Sequence, residues 1–149
     1  MPSLALVRRF AALDRRNQLL LGEALMLLAL ASAAARILPF RSAIRLGAGE
    51  RAQGGADDAT AIRQIAWAVA RVAALVPWRA RCMQQGMAAQ IMLRKRGIDA
   101  ILRYGVGKRP DGELAAHVWV TVGATTFIGG DVVAAYREVA RWPVVAVGR

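Results

Sequence analysis

The chain has 149 residues, 21 Lys and Arg against 10 Asp and Glu, and a formal net charge of +11. That length is enough for one domain with a real core, and 21% charged residues exclude a disordered polyelectrolyte. One cysteine and one histidine exclude an internal disulfide framework, a multi-cysteine metal site and polyhistidine metal chemistry.

In chain order, Leu4 to Leu13 reads as a short amphipathic helix, and Asp14 is placed to cap a second helix from Arg15 to Leu38, which Pro39 ends. Phe40 to Leu46 reads as a linker or short strand, and Gly47 to Gly55 as a flexible loop. Asp57 or Asp58 caps a helix from Ala59 to Leu75, where Ile62, Ile65, Val69, Val72 and Val76 recur at helical spacing before Pro77. The next predicted helix begins at Cys82 and runs to Gly97, with Met83, Met87, Ile91 and Leu93 on its apolar side and Arg94, Lys95 and Arg96 in its last turn. Three strands follow: Ile98 to Val106, Leu114 to Val122 and Thr125 to Ile128. A last helix is expected from Val132 to Arg141, stopped by Pro143. Helices, then an antiparallel meander, then a helix make the fold class α+β. The expected organisation is an N-terminal helical region with linker over 1–55 and a core over 56–149, packed as one compact domain.

The positive charge is uneven, with ten bases and one acid between Arg63 and Arg109. A solvated basic face explains this, and so does an acidic peptide partner. Nothing in the spacing of aromatic or metal-ligating residues indicates nucleic-acid binding. The most apolar stretch contains Glu23, so its uncharged run from Ala24 to Ala35 is 12 residues, short of the ~20 that a spanning helix requires. A packed helix and a cytoplasmic location are expected, with membrane association as the lesser alternative.

The single thiol and the single imidazole are the natural catalytic suspects. Cys82 sits at a predicted helix start, where unpaired N–H groups, the helix dipole, Arg79 and Arg81 favour the thiolate. His117 lies in Ala115-Ala116-His117-Val118-Trp119-Val120, and strand alternation puts His117 and Trp119 on one face. A buried structural cysteine and a satisfied core histidine are the bland alternatives. Asp131 is the nearest downstream carboxylate. It faces His117 only if the hairpin turns through a three-residue loop, Gly123-Ala124-Thr125, with Val122 opposite Thr126; a two-residue loop places Gly130 there instead. Asp131 serves equally as an N-cap for the last predicted helix. Trp78 and Trp119 are candidate walls of the site.

Trp78-Arg79-Ala80-Arg81-Cys82-Met83, Leu93-Arg94-Lys95-Arg96-Gly97-Ile98, Tyr104-Gly105-Val106-Gly107, Ala116-His117-Val118-Trp119-Val120 and Ile128-Gly129-Gly130-Asp131 together resemble the B2 proteins of lasso-peptide biosynthesis. The resemblance covers roughly residues 59–143. It implies a transglutaminase-like fold, related to papain-like cysteine proteases, and a cytoplasmic leader peptidase that trims a ribosomally made precursor. It further implies Cys82 as nucleophile, His117 as general base and Asp131 as orienting acid. The implied partners are the precursor's leader, a leader-binding B1 protein and a lasso cyclase (the C protein). No cofactor or metal is called for, and an ATP requirement is left open. The interval from His117 to Asp131 is slightly long for the pattern, and the residues around Asp131 are glycine-rich. Two other classes compete: an acyltransferase on the same fold, and a non-catalytic interaction module of the biosynthetic complex in which Cys82 is core.

Overall fold

The computed structural model describes residues 3–49 and 58–143. Five α-helices come first among these: α1 (Leu4–Ala11), α2 (Arg15–Ile37), α3 (Phe40–Arg45), α4 (Ala59–Leu75) and α5 (Cys82–Lys95). Four strands follow, β1 (Ala100–Lys108), β2 (Leu114–Val122), β3 (Thr125–Ile128) and β4 (Arg137–Trp142), forming one antiparallel sheet in the order β3-β2-β1-β4. Short 3-10 turns lie at Leu46–Ala48 and Gly130–Ala135.

One hydrophobic core joins α2, α4 and α5 to one face of the sheet. From α2 it takes Leu20, Leu21, Ala24, Leu27, Leu28 and Ala31, recurring every three to four residues. From α4 it takes the predicted Ile62, Ile65, Val69 and Val72. Asp58 starts α4 by accepting the Thr60 backbone N–H at 2.8 Å, which satisfies one of the helix's orphan donors. Asp57, the alternative cap, lies outside the described residues, as do most of the predicted loop and the 55/56 boundary.

The central element is α5. Gly86, Met87, Ala88, Ala89, Gln90, Met92, Leu93 and Arg94 are all buried. A stripe of Met83, Met87, Ile91 and Leu93 therefore understates its burial, because helices flank it as well as the sheet. Small residues make this possible. A Cβ on Gly86 would lie 2.8 Å from Val118 Cγ1 and 3.4 Å from Leu102 Cδ1, so the helix axis sits close against β1 and β2. Arg94 is buried with its guanidinium on the Gly49 carbonyl at 2.7 and 2.9 Å. Gly97 ends the helix at φ 77°, as its capping role predicted.

Two elements depart from expectation. Phe40–Arg45 is helical, with Ala43 and Ile44 buried three and four residues from Phe40. The last predicted helix is instead the 3-10 turn followed by β4. In Arg137–Trp142 exposure alternates, with Glu138, Ala140 and Trp142 the less exposed residues, and that period of two fits an edge strand paired with β1. α2 has the length and mean hydropathy of a membrane-crossing helix, but its buried face is built into this core.

Candidate active site

Two side chains of the first turn of α5 hold the backbone of the segment before it. Gln84 accepts the Arg81 N–H at 3.0 Å, and Gln85 donates to the Ala80 carbonyl at 2.8 Å. Cys82 is thereby held as the first residue of the helix, half-buried and not disulfide-bonded. It opens into a cavity of about 410 Å³ walled by Arg81, Phe40, Tyr104, Ala116 and Val118. A thiol at a helix N-terminus beside a guanidinium, in a solvent-accessible cleft, is the environment a nucleophilic cysteine uses.

His117 is built into the opposite side of the sheet. Val118 and Val120 meet α5 around Gly86, so alternation turns His117 and Trp119 away from that helix. The imidazole is stacked on Trp119 with ring centroids 6.0 Å apart and lies 5.1 Å from Tyr136. Its Nε2 is 2.7 Å from the Gly129 carbonyl oxygen. A carbonyl only accepts, so Nε2 carries the proton and neutral His117 presents Nδ1 as its basic nitrogen. The rest of this face is polar: Arg103 donates to Thr121 Oγ1 and pairs with Glu138, both at 2.8 Å, and Glu138 also holds Arg141 at 2.6 Å. Trp119 packs over Gly105, where a Cβ would come within 2.7 Å of its ring.

The three expected triad residues are therefore not assembled in this conformation. Cys82 and His117 face opposite sides of β2, separated by the strand whose Ala116 and Val118 wall the cysteine's cavity. Asp131 is exposed at the start of the 3-10 turn. The hairpin does turn through two residues, with Val122 opposite Thr125, rather than the three required above. A register shift then sets Val120 opposite Ile128. Continued, that register would bring Asp131 opposite His117. β3 ends at Ile128, however, and Gly129 enters the left-handed region at φ 73°. The backbone carbonyl of Gly129 thus occupies the place assigned to the carboxylate.

Of the weaker candidates, Arg81 lines the Cys82 cavity and Arg79 is exposed outside it. Trp78 does not wall the site. Its indole donates to Ser32 Oγ at 3.0 Å and it borders a separate apolar groove between the N-terminal helices. Trp119 lies on the far face with His117. Sequence reasoning missed Phe40 and Tyr104, whose rings are 5.1 Å apart and form one wall of the cavity. The signal for Tyr104 was its β1 position, on the same face as Leu102; none existed for Phe40 once its segment was read as a linker. Among the described residues no cluster of His, Cys, Asp and Glu has metal-holding geometry.

No curated protein and no solved structure matches this chain. A family model does, that of the transglutaminase-like superfamily, over residues 24–141, a span that runs from within α2 into β4. The cysteine at a helix start, the helix laid on an antiparallel sheet and a match over most of the length agree, and the chain belongs to the transglutaminase-like superfamily.

Proposed function

We propose that this protein is a cysteine peptidase that removes the leader from a lasso-peptide precursor, working with a leader-binding B1 protein and a lasso cyclase in the cytoplasm. The observation that carries the reading is the position of Cys82, first in α5 and open to a cleft large enough for a peptide side chain. The superfamily includes cysteine peptidases, which supports the coarser half of the reading; the sequence motifs support the finer half.

In this reading the Cys82 thiolate adds to the scissile carbonyl, with N–H groups of the first turn of α5 stabilising the oxyanion. The C–N bond breaks as the imidazolium of His117 protonates the leaving amine. Water, deprotonated by His117, then hydrolyses the thioester and regenerates the thiol. His117 reaches Cys82 only if the start of β2 exchanges faces, and a one-residue shift of a strand does that. This end of β2 is its least buried part and pairs with β1 at Gly105 and Gly107, which present no side chains to resist the movement. Asp131 orients the imidazole in the shifted state.

The test is cleavage of purified precursor in the presence of the B1 protein. Cys82→Ala is expected to abolish it and His117→Ala to slow it by about 10³-fold or more. Cleavage retained by Cys82→Ala overturns the mechanism. Full activity in His117→Ala would leave the imidazole a structural group of the far face. Acyl transfer on the same fold would be recognised by product mass: transfer to an amine in place of water.

A further inference from the structure

The Cys82 cavity does not end at its aromatic wall. A second groove of about 440 Å³ runs from α3 to β4, and Phe40 and Tyr104 border both. Its floor includes Trp142, edge-on to Phe40 with centroids 6.1 Å apart. Its α3 rim carries Arg41 and Arg45. Arg41 and Arg45 are four residues apart on α3, so they lie one above the other on the same side of that helix. Both are exposed, and neither is ion-paired among the described residues. Arg141 borders the groove on β4, but its guanidinium is held by Glu138 at 2.6 Å, and Glu138 pairs with Arg103 on the opposite, polar face of the sheet. No described carboxylate lines the groove.

A peptide lying in the Cys82 cleft and passing over the Phe40–Tyr104 pair would enter this groove next. Two unpaired guanidiniums above an apolar floor select for a carboxylate, because a planar guanidinium can hold both carboxylate oxygens and is little penalised by contact with aromatic rings. A basic side chain there would meet like charge, and an amide would lose the charge-assisted bonds. We propose that this groove is the acidic subsite of the Cys82 cleft, binding an Asp or Glu side chain of the substrate a few residues from the scissile bond. The proposal rests on the cysteine-peptidase reading, and it gives part of the +11 charge a specific role.

The test uses peptidyl acyloxymethyl ketones, which alkylate an active-site cysteine, with Glu or Gln placed at one position at a time. Alkylation of Cys82 in the full-length protein is followed by intact mass. At one position Glu is expected to react about tenfold faster than Gln, as a charge-assisted bond lost from a groove predicts. In Arg41→Glu/Arg45→Glu that preference should reverse in favour of Gln, and in Arg41→Gln/Arg45→Gln it should vanish; the second variant carries the test if the first does not fold. Equal rates for Glu and Gln at every position overturn the subsite, as does a Glu preference unchanged in the folded variant. Peptidyl ketones that leave Cys82 unmodified, while iodoacetamide labels it, overturn the peptidase reading and the subsite with it.

Discussion

At the scale of single residues, Gly129 decides where the imidazole of His117 points. Its φ of 73° is a conformation in which other residues are strained, and its carbonyl accepts the hydrogen bond from Nε2–H. A Cβ at this position would sit 2.7 Å from the Val118 carbonyl oxygen and 2.9 Å from His117 Nε2. The first is backbone and cannot swing aside. Gly129→Ala is therefore expected to cost about 1–3 kcal/mol, from the left-handed backbone and the forced contacts together. Chemical denaturation measures the loss, and the imidazole proton resonances should move as the hydrogen bond to the carbonyl breaks. An unchanged stability and spectrum would show that Gly129 has another conformation in solution. The same residue explains what the sequence could not reveal. Cys, His and Asp were legible as chemical types, and Cys82 was legible as a helix start. The face presented by His117 depended on which side α5 covers, and the partner of its ring nitrogen depended on a register shift and a left-handed glycine within three residues of Asp131. Neither is a property of local spacing.

At the scale of elements, α5 is set by small residues at its contact with the sheet. Gly86 illustrates two opposed effects. Replacing a mid-helix glycine with alanine favours the helix by about 1 kcal/mol. Here the added methyl would meet Val118 Cγ1 at 2.8 Å, on a stiff β-branched side chain that is itself packed in the core. Overpacking of this kind costs about 1–3 kcal/mol, so the net effect of Gly86→Ala is a loss of about 1 kcal/mol. Thermal or chemical unfolding would detect it, and a more stable variant would mean that the helix and sheet have room to separate. Elements with strong periodicity were legible: α4, β2 and β3 were bounded as observed, and α2 within a residue. β4 was not, because Val132 to Arg141 has enough alanine and alternating charge to satisfy either period, and pairing with β1 decides between them. α3 was missed because six residues after a proline offer too few turns to show a helical stripe.

At the scale of the whole molecule, α2 is tied to both ends of α5. Beyond its start, Trp78 donates to Ser32 on α2. At its end, half-buried Glu23 of α2 pairs with Lys95 and Arg96, at 3.1 and 2.7 Å. Glu23 was read from the sequence as the charge that interrupts a possible membrane span. In the fold it is the anion that receives the basic last turn of α5, where cations also meet the helix dipole. Burial raises the Glu23 pKa, but the hydrogen bonds and charges of Arg96 and Lys95 outweigh burial and hold it below the ordinary 4.5. A carboxyl with a lowered folded-state pKa stabilises the fold above its unfolded value, and that contribution disappears as pH falls through the folded value. Glu23→Gln is expected to lose about 1 kcal/mol at neutral pH, the upper end for partly exposed ion pairs. The gap from wild type should close as pH is lowered through 4.5 and below, because wild-type Glu23 then becomes neutral too. Urea unfolding of both proteins across that range measures it. A gap that stays constant with pH would mean that Glu23 holds α2 to α5 by shape and neutral hydrogen bonding rather than by its charge. The clustered cations of α5 would then owe their position to the helix dipole alone.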